Sequence, residues 1–195
     1  MQGLRERKKQ ATRASLAAAA LRLAAAHGAE CVTVEDIARA ADVSPRTFFN
    51  HFATKEEAFV ADDLERARSL VDRVRHEPAD APPWATLTRL LGEHLDAAAP
   101  LSRAEALAQH AVRTSPAVLA QQFRQYAGLE ADLVAEIARR TGTGAGDLQP
   151  RLMAASLVAA MRAALETWLE TSSDPSPRRL FDQAVAQLAP AFRPT

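Results

Sequence analysis

Glycine is scarce in this 195-residue chain: seven residues, against a hydrophobic fraction of 48% that is rich in alanine. Alternating polar and apolar segments, the mark of a half-buried strand, are also hard to find. The two shortages argue against a sheet and predict an all-α fold. There is one cysteine, Cys31. That excludes an intrachain disulfide framework and fits a reducing cytosol, so Cys31 reads as a small buried hydrophobe. No eighteen apolar residues run without a charge, so no transmembrane helix and no membrane partner is expected. The N-terminus is charged and lacks the apolar core of a signal peptide, which predicts a cytoplasmic location.

Catalytic patterns are missing as well. The five histidines, His27, His51, His76, His94 and His110, are scattered. No H-E-x-x-H or paired cysteines suggest a metal site, and no G-x-S-x-G or Walker sequence occurs. Thr141-Gly142-Thr143-Gly144-Ala145-Gly146 lacks the lysine and preceding strand of a phosphate loop and reads as a helix connection. We therefore expect no enzyme, no metal and no cofactor.

Net charge is zero, 24 basic residues against 24 acidic. The distribution is uneven, however. Arg5, Arg7, Lys8, Lys9 and Arg13 face only Glu6 within the first thirteen residues, a basic segment suited to phosphate attraction. Length and composition allow a substantial core.

Thr33 to Glu57, TVEDIARAADVSPRTFFNHFATKEE, is the most informative stretch. Thr33 is an N-cap, and Ile37, Ala38 and Ala41 give the following helix an apolar face. A turn at Ala41-Asp42-Val43 follows. Ser44-Pro45 then restarts a helix to about His51, with serine as cap and proline at the first helical position. Thr54 to Glu57 reads as a capping box for a third helix. Two short helices with a tight turn form a helix-turn-helix, whose second helix can enter a major groove.

These residues resemble the DNA-binding motif of TetR-family transcriptional regulators. The resemblance is carried by Thr33, Ile37-Ala38, Ala41-Asp42-Val43-Ser44, Phe49-Asn50-His51-Phe52 and Lys55-Glu56. Asp42 stands where the family has glycine, and aspartate tolerates a left-handed turn better than most residues. Phe49 stands where tyrosine is usual, so a phenol contact to phosphate is lost. The resemblance implies that Pro45, Arg46 and Thr47 face base edges. Arg46 would donate two hydrogen bonds to a guanine, Asn50 would read an adenine or hold a phosphate, and Thr47 would set its methyl on a thymine. Thr33, Ser44, His51 and Lys55 would hold phosphates, with Arg5 and Arg7 reaching a minor groove. Phe48 and Phe52 are assigned to the core.

About nine helices are expected: a three-helix head over residues 1–60 and a helical body over 61–195. Leu16, Ala20, Leu23 and Ala24 stripe the first helix from about Leu4 to His27, which Gly28 ends. A long helix from Thr54 to about His76 presents Val60, Leu64, Ala67, Val71 and Val74 on one face. Further helices are read at Trp84–Ala98, Leu101–Arg113 and from Ser115-Pro116, the last with Leu119, Phe123, Tyr126, Leu133 and Ile137 on one side. Asp147 opens a helix to about Glu170 that is apolar nearly all round and so buried on two sides. Ser176-Pro177 starts the last helix. The last two helices are the candidate interface of a homodimer.

By resemblance the body encloses a small-molecule pocket, with Trp84, Leu87, Leu91, His94, His110, Phe123, Tyr126, Met161 and Trp168 as lining candidates. The wording Ser-Pro-Arg-Thr-Phe-Phe-Asn-His-Phe, with Arg-Thr-Ser-Pro later, is similar to a branch whose ligands include acyl-CoA-type molecules. The expectation is a homodimeric, nucleoid-associated repressor on a palindromic double-stranded operator, released by an acyl-CoA or another hydrophobic effector. The competing reading is a helical lipid or acyl-CoA binding protein with a degenerate head.

Overall fold

The computed structural model describes residues 3–78, 81–97, 102–144, 146–171 and 176–192. Nine α-helices run in order: α1 Leu4–His27, α2 Val34–Ala40, α3 Pro45–Phe49, α4 Lys55–His76, α5 Pro83–Ala97, α6 Arg103–Arg113, α7 Pro116–Thr141, α8 Leu148–Glu170 and α9 Pro177–Leu188. A 3-10 turn, Ala189–Phe192, follows α9. No strand occurs among the described residues. The expected starts of α6 at Leu101 and end of α5 at Ala98 lie outside them.

The helix starts follow local capping chemistry. Ser102 caps α6, and Glu105 returns the favour by accepting from the Ser102 N–H at 2.8 Å, a reciprocal box readable as S-x-x-E. Ser176 caps α9 and Pro177 occupies its first position. Asp147 precedes α8, but its carboxylate accepts from the Gly144 N–H at 2.7 Å and so closes the preceding loop. Gly28 ends α1 at φ 88°, in the region where a side chain is strained.

Packing divides the chain into two compact units. The first joins Met1–Arg66 with Leu101–Tyr126, and the second joins Ala67–Pro100 with Ala127–Thr195. In the first, the α1 stripe of Leu16, Ala17, Ala20 and Ala24 meets Ile37, Phe48, Phe52, Phe59, Val112 and Val118. Thus α6 and the start of α7 share a core with the helix-turn-helix. Periodicity along the chain is silent about such long-range partnership.

The second unit is built chiefly by α5, α8 and α9, with the ends of α4 and α7. Val74, Leu90, Ile137, Leu157 and Phe181 are all but fully buried there. Each such side chain contributes about 1.5–3 kcal/mol of burial. Arg140 of α7, its side chain wholly enclosed, donates to the carbonyls of Val74, Glu77 and Pro78 and pairs with Glu136. It thereby ties down the Val74 carbonyl in the last turn of α4 and two carbonyls just beyond that helix. At Gly92 on α5, any Cβ would collide with the Arg178 guanidinium, which α9 lays across the helix and ties to Asp96 at 2.7 Å and to Asp182.

Three expectations change. Cys31 is exposed, because Val32 takes the buried place in that loop. Leu119 and Phe123 face solvent, Phe123 with 82% of its surface open, because Val118 is the residue of that turn that enters the core. In the single chain α8 is covered on one side only. Met153, Ala154, Leu157, Ala160 and Ala164 are buried, while Leu148, Leu152, Ala155, Val158, Ala159 and Ala163 are open. By length and composition alone α8 is apolar enough to cross a membrane; here its covered side is core against α9 and α5.

Candidate nucleic-acid interface

The site begins with a cap. Thr33 Oγ1 accepts from the Asp36 N–H at 3.2 Å, while the Asp36 carboxylate accepts from the Thr33 N–H and, at 2.6 Å, from its hydroxyl. The Thr33 side-chain hydrogen bond, aided by its backbone N–H and by Arg39, holds the Asp36 carboxyl below the usual carboxylate range. Asp36 was missed in the sequence because glutamate or glutamine is the usual partner in a capping box.

The turn then needs one left-handed residue. Asp42 supplies it at φ 55°, and the Val43 N–H returns to the Ala38 carbonyl at 3.0 Å. The chain therefore keeps the turn without glycine, at some conformational cost.

Ser44 starts α3. Its Oγ accepts from the Thr47 N–H at 3.1 Å and lies 2.9 Å from Thr47 Oγ1, so the two hydroxyls engage each other. Helix α3 is anchored by Phe48, fully buried, and ends two residues earlier than the sequence suggests, with Asn50 and His51 in the turn that follows. Phe52 packs beneath it at 5.6 Å between ring centroids. Ser44, Pro45, Arg46, Phe49 and Asn50 are all exposed. Arg46 and Asn50, four apart, share one face. Among the described residues neither side chain meets a partner within the chain.

Two basic residues lie elsewhere than the sequence suggests. Arg13, counted with the basic segment, is half-buried. It donates to the His51 carbonyl, sits 4.1 Å over the Phe52 ring and lies 3.6 Å from Glu57. Lys55 spends its ammonium donors on the carbonyls of Ala29 and Val32, each at 3.0 Å, and of Glu30 at 3.3 Å. It fastens the α1–α2 loop. Sequence spacing could not show this, because the partners are backbone atoms more than twenty residues away. Arg5 and Arg7 lie exposed on the first turns of α1. Burial, then the positive charges of Arg13 and Lys9, keep the half-buried His51 imidazole below the usual histidine value.

The effector candidates divide between the two units. Trp84, Leu87, Leu91 and Met161 belong to the core of the second unit, where His94 and Trp168 are half-buried. One face of Trp84 is already stacked on Phe192, 4.6 Å between centroids. His110 and Phe123 belong to the first unit, and the Tyr126 side chain lies outside the described residues.

A capped helix-turn-helix with an arginine on the open face of its second helix and an amide at that helix's C-cap has the geometry of a DNA-binding head. Residues 16–61 match the family model described as "Bacterial regulatory proteins, tetR family", and residues 82–193 match "MftR C-terminal domain". The chain belongs to the TetR family of transcriptional regulators, which are DNA-binding proteins and not enzymes. It is 33% identical to the HTH-type transcriptional regulator TcmR of Streptomyces glaucescens, over 85% of this chain and 76% of that protein. It is 28% identical to the transcriptional regulator MftR of Mycobacterium tuberculosis, over 86% and 84% of the respective chains. Among solved structures it shares its fold with Thermus thermophilus FadR, a repressor in complex with lauroyl-CoA. The TM-score is 0.63 at 22% identity, over 94% of this chain and 96% of that one.

Proposed function

We propose that this protein is a ligand-responsive repressor that binds a palindromic operator as a homodimer and is released by a small, largely hydrophobic effector. The observation that carries the reading is the open side of α3, where Arg46 on the helix and Asn50 at its C-cap stand free while Phe48 anchors the helix in the core. Residues 1–60 make the DNA contacts. Arg46 donates to a guanine edge and Asn50 reads an adenine or a phosphate. Thr33, Ser44 and His51, with Arg5 and Arg7, hold the sugar-phosphate backbone. Lys55 acts from behind, by fixing the loop that carries Thr33.

Residues 61–195 carry the dimer and effector functions. The uncovered face of α8, Leu148, Leu152, Ala155, Ala159 and Ala163, supports dimerisation through α8 and α9. Its alanines permit close approach of a second helix. Two heads would then reach successive major grooves about 34–36 Å apart. The effector site draws on Leu87, Leu91, His94, Met161 and Trp168 of the second unit. An acyl-CoA is the first effector to test, on the strength of the shared fold with FadR. Release requires that the effector bind the non-operator state more tightly.

The test is selection of duplexes from a random library with the purified full-length protein at near-physiological salt. Enrichment of one palindrome, and its release by lauroyl-CoA, is the expected result. Sequence-blind binding that only salt abolishes would defeat the reading.

A further inference from the structure

We propose that Phe49 reads a thymine 5-methyl group in the operator's major groove; this rests on the operator-binding function proposed above. Phe49 is 58% exposed, whereas its neighbours Phe48 and Phe52 are buried. The Phe49 ring stands edge-on to Phe48, 5.6 Å between centroids at 88°. Phe48 leans on Phe52 in turn, and Phe52 is capped by the Arg13 guanidinium. The open ring is thus the outermost member of a fixed stack. Its inner edge already rests on the buried Phe48 ring.

The open ring shares the exposed side of α3 with Arg46, three residues before it, and that is the side proposed above to enter the major groove. Its setting says what it would meet there. Arg46 precedes it by one turn, Asn50 and His51 follow, and no acidic side chain occurs from Ser44 to Phe52. A surface of hydrogen-bond donors around one apolar spot complements an anionic partner that offers an apolar spot of its own. On the base edges of the major groove the thymine methyl is that spot. Thr47, the other residue suited to a thymine, is half-buried, so Phe49 offers the larger open apolar surface. Phe49 is then a specificity-determining residue for DNA recognition.

The test uses the selected operator with each thymine replaced singly by deoxyuridine, which removes only the methyl. One thymine per half-site should lose about fourfold in affinity on replacement, equivalent to ~0.8 kcal/mol for a methyl-sized contact. In Phe49→Ala the same replacement should change nothing further, whereas Phe49→Leu should keep part of the sensitivity. An unchanged thermal midpoint for Phe49→Leu shows that folding is not the cause. A flat uracil scan with the native protein overturns the proposal, and uniform weakening by Phe49→Ala would then place the ring on a deoxyribose. If no operator is enriched at all, the operator-binding reading falls and this inference with it; an enriched operator with a flat scan sinks this inference alone.

Discussion

Arg113 of α6 holds Asp63 of α4 in a two-pronged grip, Nε to Oδ2 at 2.6 Å and Nη2 to Oδ1 at 3.1 Å. Both side chains are mostly buried, and Gln109 and Arg66 complete the cluster. A fork-to-carboxylate pair depends on planar geometry as well as charge. Arg113→Ala should cost about 1–3 kcal/mol of stability by urea titration, because the carboxylate is left half-enclosed with a weaker partner. Arg113→Lys should recover less than half of that loss. Full recovery by lysine would mean that the pair acts by charge alone.

Lys55 separates two roles by salt dependence. As a phosphate contact it would contribute to counterion release, and its loss would lower the salt slope of operator binding by about one. As the fastener of three loop carbonyls it would leave that slope alone. Lys55→Met should lower stability by about 1–3 kcal/mol, the cost of stranded carbonyls, with the slope unchanged. A reduced slope at unchanged stability would return Lys55 to the phosphate-binding set.

Asp42 holds φ 55° with a Cβ in the way. Asp42→Gly should therefore be stabilising by up to about 1 kcal/mol, less the extra freedom glycine has when unfolded. Asp42→Val, β-branched and without a local hydrogen-bonding option, should destabilise by more than the glycine gains. Equal midpoints for all three proteins would show that the turn relaxes in solution.

His51 links pH to both folding and binding. Its folded pKa lies below the ordinary 6.5, so on acidification the unfolded chain takes up the proton first. The stability tied to neutral His51 is fully present above about pH 6.5 and is lost as pH falls through the folded value. Operator affinity should move the other way, rising with acidity, because a nearby phosphate favours the imidazolium. His51→Gln should flatten both trends. An affinity that falls on acidification would remove His51 from the phosphate set.

Arg46→Ala should lower affinity for the selected operator by about 1–3 kcal/mol and relax the requirement at one base position. A competition assay across single-base operator variants reads this directly. Uniform weakening across all variants would assign Arg46 to the sugar-phosphate backbone instead.

Much of this was legible because it is local. The starts of α2, α3 and α9 are each set by residues within four positions, and Phe48 and Phe52 were assignable to the core from the same short window. What escaped is long-range. Nothing near Lys55 announces carbonyls at Ala29 and Val32, and nothing near Arg13 announces the Phe52 ring. Phe123 shows the opposite failure. Its spacing from Leu119 looks like a buried stripe, yet Val118 holds the core position. The effector candidates suffer most, since an apolar residue on a helix looks the same whether it lines a site or fills a core. Trp84 is the example: its stack on Phe192 depends on where the chain's other end folds.

Gly92 gives α5 and α9 a key and a keyway. The missing side chain is the slot, Arg178 is the tooth, and Asp96 and Asp182 keep the tooth seated. A methyl added at Gly92 must push the guanidinium off α5, so it is felt first at the Asp96 and Asp182 pairs.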